Sequence, residues 1–79
     1  MSPAAPHRVV ALVHEPQSTF ELACAAEVFG IERRGISTRY VFGVCTERPG
    51  PLATRAGYDM AVTDGLDALD RADTVVVPG

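Results

Sequence analysis

The chain has no lysine and no tryptophan, and only two cysteines and two histidines. Each scarcity removes a class of function. All seven cationic side chains are arginines, and ten carboxylates outnumber them, for a net charge of −3. Free nucleic-acid binding by such a chain is not expected, because no basic stripe exists to neutralise phosphates. No apolar run approaches the ~20 residues of a transmembrane helix, so no membrane partner is expected. Two distant cysteines and two histidines without paired ligand spacing provide neither a disulfide nor a metal site. No G-x-G-x-x-G, P-loop, HExxH or catalytic-triad spacing occurs, so no cofactor is expected and no catalytic residue is assigned. Residues 1–6 lack an apolar segment behind a basic one and read as a flexible lead rather than a secretory signal. The expected compartment is the cytoplasm, where thiols stay reduced.

What remains is ordinary globular composition: 79 residues, 47% apolar and 22% charged. That apolar fraction argues against disorder throughout. The length allows at most one small domain, with marginal burial per residue.

Arg8–Val13 is a continuous apolar run without alternation, which suits a strand covered on both faces. A polar turn with Pro16 follows. Ser18-Thr19-Phe20-Glu21 then matches a capping box, predicting a helix from Thr19 to Phe29 with Gly30 as its stop. Phe20, Ala23, Cys24 and Val28 mark its expected inner face, although Leu22, Ala25, Ala26 and Phe29 extend the apolar surface nearly all round. A polar connection over Ile31–Thr38 leads to a second buried-type strand, Arg39–Cys45. Pro49-Gly50-Pro51 is a break. Leu52–Arg55 and Tyr58–Val62 flank Ala56-Gly57 as a hairpin. Asp64 is the expected N-cap of a short helix, Leu66–Ala72, with Leu66 and Leu69 inward. Thr74–Val77 is a last apolar strand.

Three non-alternating strands predict an α/β fold with a mostly parallel sheet joined by right-handed crossovers, plus a small hairpin. One full helix and one short one cannot cover both faces of that sheet. The expectation is therefore a truncated α/β domain over residues 7–79, its first half.

His7–Val13, then Phe20-Glu21-Leu22-Ala23 with Glu27-Val28-Phe29-Gly30, then Ala72–Gly79, resemble the class I glutamine-amidotransferase-like fold of the ThiJ/PfpI superfamily. The Phe-Glu-Leu-Ala…Glu-Val-Phe-Gly string is most similar to the ligand-sensing domain of AraC-type transcriptional regulators, and Pro49–Thr54 with its hairpin agrees with that subgroup. The resemblance implies a flavodoxin-like three-layer sandwich of roughly twice this length. It also implies a reactive Cys on an elbow in the second half, faced by an acid from the first helix and by backbone N–H groups after the Pro-Gly strand. The elbow Cys, its His partner and the DNA-binding helices have no counterpart in these 79 residues. Only Glu21 and Gly79 carry over.

Glu21 has two readings: position N3 of a capping box, bonded back to Ser18, or the pocket acid that the resemblance implies. His14, closing the first strand, either lines a pocket mouth at the sheet's carboxyl end or is a solvated loop residue. Gly79 begins the loop that in active relatives of the family cradles an oxyanion. Ligand-pocket candidates are thus Glu21, His14 and Gly79. Glu27 is read as exposed, His7 as solvated in the lead, and Cys24 and Cys45 as buried, inert thiols.

The resemblance implies part of the effector-sensing domain of a regulator, with a small metabolite as ligand. It further implies a homo-oligomer through the parent domain, and DNA contact only through a further C-terminal domain. The alternative is part of a cysteine-dependent hydrolase or hydratase of the same superfamily. A third expectation is association through an open sheet edge.

Overall fold

In the computed structural model, residues 6–31 and 40–79 are described. Residues 1–5 of the lead, Arg39 and most of the 31–38 connection lie outside them. Among the described residues five strands and two helical segments follow one another: β1 (His7–Val13), α1 (Thr19–Phe29), β2 (Tyr40–Thr46), β3 (Gly50–Ala53), β4 (Asp59–Val62), a 3-10 helix (Leu66–Arg71) and β5 (Thr74–Val76). The protein is a small α/β structure. β1 lies at the centre of a parallel sheet ordered β2-β1-β5, and β3 and β4 form a separate antiparallel pair.

Register explains why β1 is apolar on both sides. It pairs with β2 along its whole length, from His7 with Tyr40 to Val13 with Thr46, and with β5 from Val9–Thr74 to Ala11–Val76. On one face Val10 and Leu12 pack with Cys45 and with Ala68, Leu69 and Ala72 around the 3-10 helix. On the other, Val13 packs with Val44, with Leu22 of α1, and with Leu52, Met60 and Val62 of the hairpin. Val9, Val10, Ala11 and Val13 are all buried.

The helix spans the expected residues, but its caps differ. Ser18 occupies the N-cap with an extended backbone and makes no side-chain cap bond. Gly30 stays right-handed (φ −97°) instead of adopting the left-handed stop, and its N–H donates to the Ala26 carbonyl at 2.7 Å. The inward face is also reversed. Phe20 is 74% and Val28 58% exposed, and Ala23 and Cys24 are exposed with them. Ala25 is buried, and Leu22, Ala26 and Phe29 are half-buried. Spacings of three, four and seven residues from Leu22 give this second stripe the same helical period, so periodicity alone cannot choose between the two. Packing decides: small Ala25 and Ala26 let the helix approach the sheet, and Phe29 sets its ring edge against Tyr40 at 5.0 Å.

The remaining corrections are local. The hairpin begins at Gly50, two residues early, because Pro51 lies in a two-stranded ribbon where a missing N–H costs little. Its turn is Thr54–Tyr58, closed by Thr54 N–H and Oγ1 on the Tyr58 carbonyl (3.0 and 2.6 Å), with Gly57 at φ 87°. Asp64 does not cap the short helix. Gly65 holds that place, and the Asp64 carbonyl instead accepts the Thr46 N–H at 3.0 Å. Leu66 faces outward. His7 starts β1 rather than lying in a lead, and its ring shares a 2.7 Å hydrogen bond with Thr74 Oγ1.

Candidate functional site

The carboxyl ends of β1, β2 and β5 lie side by side, which is where parallel α/β sheets leave room for a ligand. Two bonds fix those ends. Thr46 Oγ1 donates to the Val13 carbonyl at 3.0 Å, and the Asp64 bond described above ties the end of β2 to the segment after β4. The hairpin is then drawn over the β1–α1 loop. Glu15 Oε2 accepts the Ala53 N–H at 2.7 Å, the Gln17 N–H donates to the Ala53 carbonyl at 3.1 Å, and the Arg55 N–H donates to the Gln17 carbonyl at 3.0 Å.

These ties leave a cleft of about 690 Å³ between the strand ends and the hairpin. Its apolar part is Leu12, Val13, Leu52 and Val77, with Pro49 and Pro51 at the side. Its polar part is His14, Glu15, Thr46, Glu47 and Arg48. Glu15 and Thr46 are committed to the backbone bonds above. The side chains of His14, Glu47 and Arg48 are exposed and make no ion pair or hydrogen bond among the described residues. An apolar floor with a few uncommitted polar groups at the rim can hold a small organic molecule and orient it.

Of the candidates named from the sequence, His14 lines this cleft. Glu21 and Gly79 meet each other beside it. The Glu21 carboxylate lies so close to Gly79 that a Cβ added there would collide with Oε2 and sit 2.8 Å from the carboxyl carbon. No Glu21–Ser18 bond forms, so the capping-box reading of Glu21 is not realised. Glu27 is exposed.

Sequence reasoning missed Gln17, which it left inside a polar turn. Gln17 is 0% exposed, among the largest fully buried side chains. Its Oε1 accepts the His14 N–H at 3.4 Å. Its Nε2 faces three carbonyl oxygens: Ser18 at 3.1 Å, Gly79 at 3.2 Å and Pro78 at 3.4 Å. No local signal marks it, because its partners lie as far as 62 residues away.

The cysteines stand apart from the cleft lining. Cys24 is exposed on α1, against expectation, because the helix turns its other stripe inward. Cys45 is buried, and burial first, then the nearby negative charges of Asp64 and Asp67, push its thiol pKa up. Such a thiol stays protonated and is a poor nucleophile. Among the described residues no group of His, Cys, Asp or Glu is placed to hold a metal ion, and no helix is long and apolar enough to cross a membrane.

Fold and site together define an α/β structure with a ligand-sized cleft at the carboxyl end of a parallel sheet. Comparison with family models, curated proteins and solved structures returns no match.

Proposed function

We propose that the chain is part of the small-molecule-sensing domain of an AraC-type transcriptional regulator, with flavodoxin-like layering and the effector seated in the cleft at the strand ends. The observation that supports it is the cleft: about 690 Å³, apolar at its base, rimmed by uncommitted His14, Glu47 and Arg48. Pockets of that size suit metabolite-sized ligands. The layering draws support from surfaces left bare. Among the described residues β5 pairs on one side only, and Val41, Val75, Phe20 and Val28 are open to solvent. A second half pairing with β5 would cover part of that surface. In this reading effector binding shifts a dimer geometry in the parent domain, and DNA is touched by a further domain. The cytoplasm suits both roles.

A second reading, part of a ThiJ/PfpI cysteine-dependent hydrolase or hydratase, is favoured by one contact, Glu21 against Gly79. That is where the superfamily resemblance places an acid near the loop of the reactive centre. On that reading the nucleophile comes from outside these 79 residues.

The test is ligand-detected and amide-detected NMR with a panel of small metabolites spanning acids, amines and zwitterions. Saturable shifts at Leu12, Thr46, Arg48 and Leu52, weakened by Arg48→Ala, support sensing. Binding confined to Phe20, Val41 and Val75, or no saturable binding at millimolar ligand, rejects the cleft as an effector site. Thiol-dependent turnover of an ester or amide by the purified chain would reject both readings as given.

A further inference from the structure

We propose that Gln17 is a positioning residue: its buried carboxamide joins the cleft wall at His14 to the carbonyl oxygens of Pro78 and Gly79, and so holds Gly79 against the Glu21 carboxylate. This goes beyond the sensing reading and does not require it.

A glutamine is a costly choice for a fully buried position unless both ends of its amide are used. Here both are. The acceptor end takes the His14 N–H, and the donor end points at three carbonyls, two of them in the segment after β5. The main chain of the same residue forms a parallel bridge with Thr54 and the bonds to Ala53 and Arg55. One residue therefore touches the cleft wall, the hairpin and the end of β5. No regular ladder joins the last of these to the first two, because β5 pairs with β1 only as far as Val76. Pro78 has no N–H to donate, so its carbonyl is the backbone group it offers to a neighbour. Gly79 completes the arrangement: a Cβ there would meet the Glu21 carboxylate and oblige that exposed side chain to move. A disturbance of the wall at His14 or Glu15 thus reaches the Glu21–Gly79 contact through a single carboxamide.

The chemistry of that amide supplies its own test. Gln17→Glu keeps shape and the acceptor toward His14, but replaces the donor with an oxygen facing carbonyl oxygens. An ionised carboxylate there repels them; a protonated carboxyl donates one bond and restores the tie. The latch in this variant should open at high pH and close as the pH falls through the new group's pKa, which burial and the facing carbonyls raise. The readout is the nuclear Overhauser contact between Glu21 Hγ and Gly79 Hα, with β1–β2 contacts as the control for folding. Expected in Gln17→Glu is loss of the Glu21–Gly79 contact at about pH 8 and its return near pH 5, below a raised Glu pKa. The wild type should keep the contact at both. It carries the same His14, Glu15, Glu21 and Arg55 around position 17, and in the 79-residue protein the same terminal carboxylate on Gly79 facing the amide, so a transition common to both proteins belongs to those groups and overturns the proposal. So does a Gln17→Glu contact indifferent to pH. Gln17→Met, which fills the space without either hydrogen-bonding end, should lose the contact at both pH values while β1–β2 pairing persists. If Gln17→Met keeps it, Gln17 only fills volume and the inference is wrong.

Discussion

Gly30→Ala sets two effects against each other, and their sizes decide the sign. Removing a glycine at a helix end ordinarily helps, because alanine loses less backbone entropy on folding, a gain of roughly 0.5–1 kcal/mol. Gly30 is right-handed here, so no left-handed strain opposes the change. Space does. A Cβ at position 30 would lie 2.7 Å from the Ala26 carbonyl oxygen and 3.3 Å from Phe42 Cδ2. The first neighbour is main chain and cannot step aside. It also accepts the Gly30 N–H at 2.7 Å, so relieving the clash stretches that bond. Forced overpacking of this kind costs roughly 1–3 kcal/mol. The clash therefore outweighs the entropy gain, and Gly30→Ala should destabilise the protein by about 1–2 kcal/mol. In urea titration followed by far-ultraviolet circular dichroism, the midpoint should fall with the slope unchanged. A midpoint that rises would show that the last turn of α1 relaxes freely and that the close approach to Ala26 is not a constraint.

Leu52→Ala should be the more damaging change. Leu52 is 3% exposed between Val13 and Val62, and truncating such a residue costs roughly 2–5 kcal/mol, a large share of a small domain's stability; a urea midpoint within error of wild type would contradict the cluster described. Thr54→Val removes the hydroxyl that donates to the Tyr58 carbonyl and accepts the Ala56 N–H, at a cost of roughly 1–2 kcal/mol, and hydrogen exchange should quicken across the hairpin turn before it does in β1. For the thiols, a disulfide reagent should modify Cys24 in the native protein and reach Cys45 only after unfolding; equal rates would refute the burial of Cys45. Because the folded state raises the Cys45 pKa, it holds that proton more tightly than the unfolded chain does. Its stabilising effect is complete below the ordinary thiol pKa of about 8.5 and is lost as the pH climbs through the raised value. Alkaline destabilisation should be smaller in Cys45→Ala, and identical pH profiles would remove that cause.

Elements whose signal is local were legible in the chain. The run at Val9–Val13 is apolar throughout because β1 is covered from both faces, and no alternating reading competes. The helix limits were legible because Ser18 and Gly30 bracket an apolar-periodic stretch between turns. Which stripe of that helix faces the sheet was not legible, since both stripes satisfy the period. The choice came from the bulk of the side chains, with Ala25 and Ala26 permitting an approach that Phe20 forbids. The expected capping box failed for a related reason: Glu21 had two partners within reach, and the one 58 positions away in sequence was invisible to a local rule.

The candidate residues could be named from the sequence, and what joins them could not. His14 could be named because it closes a strand at the carboxyl end of a parallel sheet, whereas Glu21 and Gly79 were named through the family resemblance. Gln17 could not, since a glutamine inside a Pro-containing turn is indistinguishable from a solvated one until the strands are paired. Only then does the accounting of buried polar groups single it out. A polar side chain with no exposure must spend both ends of its amide, and here the partners it finds are the His14 N–H in the cleft wall and backbone oxygens at the end of the β5 segment. The buried amide is thus a consequence of topology. That places the decisive substitution at position 17 rather than at the more conspicuous carboxylate: losing Glu21 would empty one side of a contact, whereas losing the Gln17 donor would release the segment that makes the contact possible.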